Sequence, residues 1–241
     1  MGCEELFLED SYLREASARV VRVERSRGKR AYIVLDRTIF HPLGGGQPSD
    51  KGLIVAGERR FRVKKAIRRG GEVLHYGVFV DRYVFREGEE VLLRLDWGHR
   101  YTVMRLHTAG HILDFAVASV HGGPVDTLSA FHGPPRAYLE YALREEPRLG
   151  EIEAVANRVV AEDRPVRVFY VRPGELAGIV YNAPNMARVP TAERYRVVEI
   201  VGVNAMPCTG THVRRTGEVG AIRLLGAEET GRGWKIFYAV E

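Results

Sequence analysis

Through roughly the first ninety residues apolar side chains alternate with charged ones in short runs, the two-residue period of strands that bury one face. Ser17 to Glu24 and Ala31 to Asp36 flank Ser26-Arg27-Gly28-Lys29 and predict a hairpin. Similar runs follow at Leu53 to Val55, Arg60 to Ile67, Val73 to Val80 and Glu90 to Leu95, with turns such as Gly70-Gly71 and Glu87-Gly88 between them. Short strands at this spacing predict a small antiparallel β-barrel.

The period changes at Asp96-Trp97-Gly98-His99-Arg100. From Tyr101 to Val120, Val103, Met104, Leu106, Ile112, Leu113, Ala116 and Val117 recur at three- and four-residue intervals, which predicts a half-buried helix. Gly110 in its interior costs about 1 kcal/mol relative to Ala, so close packing or a ligand is expected on that side. Beyond Gly122-Gly123-Pro124, Thr127 to Phe131 and Arg136 to Leu143 form a hairpin around Gly133-Pro134-Pro135, and Leu149 to Glu162 form a second amphipathic helix. A strand at Val166 to Val171, a loop around Pro184 and Pro190, and strands at Val197 to Val203, Ala221 to Leu225 and Lys235 to Val240 complete the pattern. The fold class expected is α+β, with a β-barrel domain over residues 1–95 and an α+β domain over 96–241.

Composition narrows the classes. No apolar run approaches the length that crosses a bilayer, and Met1-Gly2-Cys3-Glu4-Glu5 is acidic where a secretory signal would be basic, so a cytoplasmic protein is expected. Two cysteines among 241 residues exclude a disulfide framework. A net charge of +5, carried mostly by Arg, favours a polyanionic partner without singling one out.

Against that background His107-Thr108-Ala109-Gly110-His111 stands out. Two imidazoles four residues apart project from one helical face, the spacing a single metal ion needs. Cys208-Thr209-Gly210-Thr211-His212 repeats the interval with a thiol in front. Copper and iron accept the same donors, but imidazole and thiolate without a carboxylate fit zinc best. A metalloprotease needs Glu after its first His, and here that residue is Thr108. A structural zinc site in a nucleic-acid-binding module remains an alternative, because four protein ligands form the closed shell such a site uses. Gly44-Gly45-Gly46-Gln47 lets backbone approach a ligand closely, yet lacks the Gly-Lys-Ser/Thr ending of a nucleotide-binding loop.

Taken together, the Gly44-Gly45-Gly46-Gln47-Pro48-Ser49-Asp50 core, Asp96-Trp97 leading into Met104 to His111, and Cys208 to Val213 followed by Thr216-Gly217-Glu218-Val219-Gly220 resemble the AlaX family of alanyl-tRNA editing proteins and the editing domain of alanyl-tRNA synthetase. The length is similar to the medium-sized AlaX type. The resemblance implies a β-barrel joined to the α+β editing domain shared with threonyl-tRNA synthetase. It implies one zinc ion bound by His107, His111, Cys208 and His212, and misacylated tRNA(Ala) as partner, deacylated chiefly of serine and also of glycine. Gly98-His99-Arg100 and Arg136 to Tyr141 depart from the family's usual Asp-Trp-x-Arg-Arg and Arg-x-Asp-Phe segments.

On this reading Gln47, His107 and His111 are the candidate catalytic residues. Gly44, Gly45, Gly46 and Gln47 are expected to face the metal across the domain boundary and bind substrate, with backbone N–H groups stabilising the tetrahedral intermediate or gripping the terminal adenosine. Thr127 is the candidate hydroxyl partner for serine, and Arg100 and Arg105 are candidate phosphate contacts on the tRNA.

Overall fold

Alternating sequence becomes alternating burial. A computed structural model of the chain describes residues 2–80 and 84–241. In the first part, β1 (Glu4–Glu5) pairs in parallel with β4 (Arg37–Thr38). Strands β2 (Glu15–Arg25), β3 (Arg30–Leu35), β5 (Gly52–Ala56), β6 (Arg59–Arg69), β7 (Glu72–Phe79) and β8 (Glu90–Leu95) close an antiparallel barrel in the order β2-β3-β7-β6-β5-β8. Its interior is filled by residues such as Val20, Ile33, Leu35, Ile54, Phe61 and Leu93, and Phe61, Phe79 and Phe85 meet edge to face at centroid separations of 4.8 and 5.3 Å.

Two irregularities in the hydrophobic pattern are bulges. In β6 the inward residues run Phe61, Val63, then Ala66, because the register with β7 shifts between Val63 and Lys65 and one extra residue resets the alternation. In β2 the shift lies between Val20 and Arg22, so the inward residues run Ala18, Val20, then Val23 in place of Arg22.

The second part is built on α1 (Trp97–His121), β9 (Thr127–Phe131), β10 (Ala137–Tyr141), α2 (Leu149–Ala161), β11 (Val166–Val171), α3 (Pro173–Ile179), β12 (Tyr195–Ile200), β13 (Asn204–Pro207), β14 (Ile222–Thr230) and β15 (Gly233–Val240). One antiparallel sheet has the order β14-β15-β10-β9 and another β11-β12-β13. Ile152, Ala156 and Val159 bury one face of α2, as their spacing requires. The fold is therefore α+β with a closed six-stranded barrel.

The structure departs from the sequence reading in several places, three of which have a clear local cause. The compact units are Met1–Thr102 and Val103–Glu241, so the division falls inside α1, later than the change of period suggested. The first turn of α1 belongs with the barrel because its side chains are held by the Gly-rich segment: His99 Nε2 lies 3.0 Å from the Ser49 carbonyl, and Arg100 is paired with Asp50. The strand expected to reach Val203 stops at Ile200, where Gly202, at a φ of 72°, turns the chain back into β13. Within the stretch before Pro184, α3 starts with Pro173 at its first position, and the Glu175 carboxylate caps the Arg172 N–H at 2.9 Å.

Candidate metal centre

Helix α1 brings His107 and His111 one turn apart on one face, with ring centroids 5.4 Å from each other. The segment after β13 supplies the other donors. Cys208 Sγ is 3.6 Å from His107 Nε2 and 3.3 Å from His212 Nε2, and the four ligand atoms of His107, His111, Cys208 and His212 all lie within 4.8 Å of one another. The four side chains form a group able to hold one metal ion.

The surroundings act differently on the imidazole and the thiol. Burial, together with the nearby Arg196 guanidinium, pushes the His111 imidazole down to about 4, so the ring is in its neutral, metal-binding form. Burial raises the Cys208 thiol, while Arg196 and the Gly210 N–H, 3.4 Å from Sγ, pull it back towards thiolate. One cation thus helps two donors. Arg196 is itself buried and donates to the carbonyls of Cys208 at 2.6 Å and Gly210 at 3.0 Å, fixing the loop that carries the thiol. His111 Nδ1 is buried without a hydrogen-bond partner, a lone polar atom in keeping with a ligand site.

Thr108, the residue that excludes the protease motif, has a different task. Its Oγ1 lies 3.1 Å from His212 Nδ1 and accepts the Val213 N–H at 3.3 Å. Because Oγ1 engages Nδ1, His212 is left with Nε2, the nitrogen beside Cys208, for a metal. Asn204 Nδ2 donates to the His111 carbonyl at 2.7 Å and ties β13 to α1.

Sequence spacing gave no hint of His132. Its ring stacks on His107 at 4.4 Å between centroids and 12° between planes, and Nδ1 is 2.7 Å from the Tyr238 hydroxyl. Burial holds this imidazole neutral, lowered to about 3. Gly110 is what admits it: a Cβ there would stand 2.5 Å from His132 Cε1. The only early signal was the helix-interior glycine itself.

The remaining candidates are distributed as follows. Gly45 and Gly46 have φ of 57° and 75°, and Gly44 and Gln47 exchange backbone hydrogen bonds of 3.2 and 2.9 Å, which makes a two-residue turn that strongly favours glycine at both central positions. Gly44 and Gly45 are exposed, whereas Gln47 is fully buried. Arg100 is fully buried as well. Nε donates to Asp50 Oδ1 at 2.9 Å, Nη1 to the Ser11 carbonyl at 2.8 Å, and Nη2 to the Ile39 carbonyl at 2.6 Å and to Asp50 Oδ2. Its expected phosphate contact is thereby replaced by an internal one, since a guanidinium enclosed by carboxylate and carbonyls has no face for a phosphate. Arg105 donates to the carbonyls of Val219, at 2.9 Å, and Glu241. Thr127 Oγ1 donates to Asp114 Oδ1 at 2.9 Å, and the Tyr141 hydroxyl donates to the same oxygen at 3.0 Å. Burial raises the Asp114 carboxyl to about 7, even though both hydroxyls favour its ionised form.

Comparison with known proteins places this geometry. Residues 12–99, which include the barrel strands, match the family model of class II (A) tRNA synthetases. Residues 195–236, which include Cys208 and His212, match that of the second additional domain of threonyl and alanyl tRNA synthetases. The chain is 35% identical to the alanine–tRNA ligase of Ignicoccus hospitalis over 95% of its own length but only 25% of the ligase. It is 34% identical to the alanyl-tRNA editing protein AlaX-L of Pyrococcus horikoshii, spanning 97% of this chain and 57% of that protein. With AlaX-M of Saccharolobus solfataricus the identity is again 34%, now over 99% of both chains. A relationship that runs the whole length of an AlaX protein, with Cys208 and His212 of the His/Cys group on the domain named for threonyl and alanyl synthetases, means that this chain belongs to the AlaX family of alanyl-tRNA editing proteins.

Proposed function

We propose that the protein is a trans-editing hydrolase that deacylates mischarged tRNA(Ala), chiefly Ser-tRNA(Ala) and also Gly-tRNA(Ala), in the cytoplasm. The observation that carries this reading is the convergence of His107, His111, Cys208 and His212 in a chain that matches an AlaX-M protein from end to end. Among the described residues no helix is long and apolar enough to cross a membrane, which suits a tRNA substrate.

In this reading the four donors hold zinc, which supplies Lewis acidity towards the ester and its attacking water when bound. The chain's own residues do the rest. Thr108 orients the His212 ring, and Arg196 holds the loop that carries Cys208 in place. The Thr127 hydroxyl gives its proton to Asp114, so it offers a lone pair to the hydroxyl of a seryl group. Alanine lacks that hydroxyl and would leave Thr127 unmatched, a difference that can amount to orders of magnitude in rate, whereas size alone would admit alanine. The Gly44-Gly45-Gly46 turn and Gln47 are assigned to the 3′ end of the tRNA, and Arg105 to a phosphate. A second reading, a structural-zinc nucleic-acid-binding module without hydrolytic activity, is favoured by the closed shell that four protein donors make.

Deacylation of Ser-, Gly- and Ala-tRNA(Ala) by the wild type and by Cys208→Ala, with zinc measured on the same samples, tests both. Rapid release of serine, sparing of alanine, and loss of zinc together with activity in Cys208→Ala are expected. Bound zinc with no release from any misacylated tRNA would establish the structural module instead.

A further inference from the structure

We infer that His132 is a further catalytic residue: its Nε2 is a fixed hydrogen-bond acceptor that orients the water attacking the aminoacyl ester. The inference rests on the hydrolytic function proposed above and adds to it a residue outside the four-donor set.

The argument starts with one proton. The Tyr238 hydroxyl lies 3.0 Å from the Leu106 carbonyl, and a carbonyl only accepts, so the single phenolic proton points there. The same oxygen sits 2.7 Å from His132 Nδ1 and has only lone pairs left to offer. Nδ1 therefore carries the imidazole proton and donates it to Tyr238. With the ring enclosed and no carboxylate among its described hydrogen-bond partners to stabilise a second proton, Nε2 is the bare nitrogen. Among the described residues nothing hydrogen-bonds Nε2. The side chain is only 5% exposed, yet Nε2 is not one of the buried polar atoms left without a partner, so the bare acceptor is the part of the ring that a water can reach.

Its location gives the acceptor a use. The ring lies parallel on His107 at a centroid separation of 4.4 Å, next to the candidate metal centre, yet it is not one of the four converging donors. The chain also departs from ordinary helix composition to seat it. Gly110 occupies the interior of α1, where glycine is unfavourable relative to Ala, and a Cβ at that position would meet Cε1 at 2.5 Å and Nδ1 at 2.7 Å. A buried histidine that served only as filler would need neither a fixed tautomer nor a gap cut in a helix. Ester hydrolysis does need an acceptor: water adds its oxygen to the ester carbonyl carbon, the bond to the ribose oxygen breaks, one water proton ends on that oxygen as the terminal ribose hydroxyl, and the other leaves to solvent as the released amino acid's carboxyl group ionises. An acceptor engaging one hydrogen of that water directs its lone pair at the carbonyl carbon.

Three variants of the full chain test this. His132→Phe keeps the flat ring against His107 and removes both nitrogens, His132→Gln can place a carbonyl oxygen near the position of Nε2, and Tyr238→Phe removes the group that fixes the tautomer. Single-turnover and steady-state deacylation of Ser-tRNA(Ala) should show kcat lower by about 10²-fold in His132→Phe with KM nearly unchanged, partial recovery in His132→Gln, and an intermediate loss in Tyr238→Phe. Long-range nitrogen–proton NMR of histidine-labelled wild type should show His132 as the Nδ1–H tautomer, and the visible spectrum of the cobalt-substituted protein should be the same in wild type and His132→Phe. Unchanged kcat in a folded, metal-loaded His132→Phe, or an Nε2–H tautomer, would overturn the role. An altered cobalt spectrum would make His132 a ligand and overturn it equally. A wild type inactive on every misacylated tRNA would overturn the hydrolytic reading and the role of His132 with it, whereas an active wild type with an equally active variant overturns the role alone. If His132→Phe does not fold, His132→Gln and Tyr238→Phe decide, and full activity in Tyr238→Phe counts against the proposal.

Discussion

Replacing Arg100 by Met separates two roles that an arginine beside a Gly-rich motif could have. In the structure Arg100 and Asp50 are 0% and 1% exposed, and the guanidinium donates to both carboxylate oxygens and to the carbonyls of Ser11 and Ile39. Arg100→Met leaves the Asp50 carboxylate buried, with the His41 N–H, 2.5 Å from Oδ2, as its remaining donor among the described residues. Removing one member of a buried pair costs about 3–5 kcal/mol, because the partner's charge is left without compensation. Adding Asp50→Asn removes that charge, and the double variant should lose only about 1–2 kcal/mol, chiefly from the two carbonyls deprived of their donor. Adding Asp50→Asn should thus recover about 2–3 kcal/mol relative to Arg100→Met alone, whereas independent sites would add their costs within a scatter of roughly 0.5 kcal/mol. Urea unfolding followed through Trp97 fluorescence, in a Trp234→Phe background, reads this out in the barrel unit. Affinity for tRNA, measured as a function of salt on the folded single variant, should keep its slope. A variant as stable as the wild type, whose salt slope falls by about 1, would show that Arg100 contacts a phosphate and that the internal assignment is wrong.

Two other perturbations bear on the editing unit. Burial raises Asp114 from 3.8 to about 7, so between these values the folded state keeps a proton that the unfolded chain has lost, and stability falls as pH rises through that window. Asp114→Asn removes the dependence while keeping an oxygen for Thr127 and Tyr141; its stability relative to wild type should grow by a few kcal/mol from about pH 4 to 7 and then level off. A difference that stays flat with pH would show that the carboxyl ionises normally. Thr108→Val deletes the oxygen that engages His212 Nδ1, and zinc affinity, measured by competition with a chromophoric chelator, should fall about 10- to 100-fold with α1 intact. Unchanged affinity would mean that His212 is oriented by something else.

Much of the architecture follows from side-chain order along the chain, because periodicity reports which face an element buries. The barrel strands, α1, α2 and the hairpin of β9 and β10 were all legible in this way, and so was the pairing of His107 with His111, which lies within a single helical turn. Joining that pair to Cys208 and His212 depended on donor chemistry and on resemblance to AlaX proteins, since no local rule spans so long a separation.

What tertiary structure decided lies beyond the reach of any window. Bulges set the register, so they determined that β2 should switch phase after Val20, with Val23 and not Arg22 packed on the core, and that β6 should switch phase after Val63. Arg100 looked like a free cation until Asp50, fifty residues earlier, was brought beside it. The seat of His132 required Gly110 from α1, Leu106 one turn before it and Tyr238 from the last strand, three positions whose sequence separations carry no period. Sequence by itself determined which faces would be buried and which donors could bind a metal, because both are properties of single side chains and near neighbours. Only folding determined which charges would be satisfied internally and which nitrogen of His132 would be left bare, because those depend on distances between residues far apart in the chain.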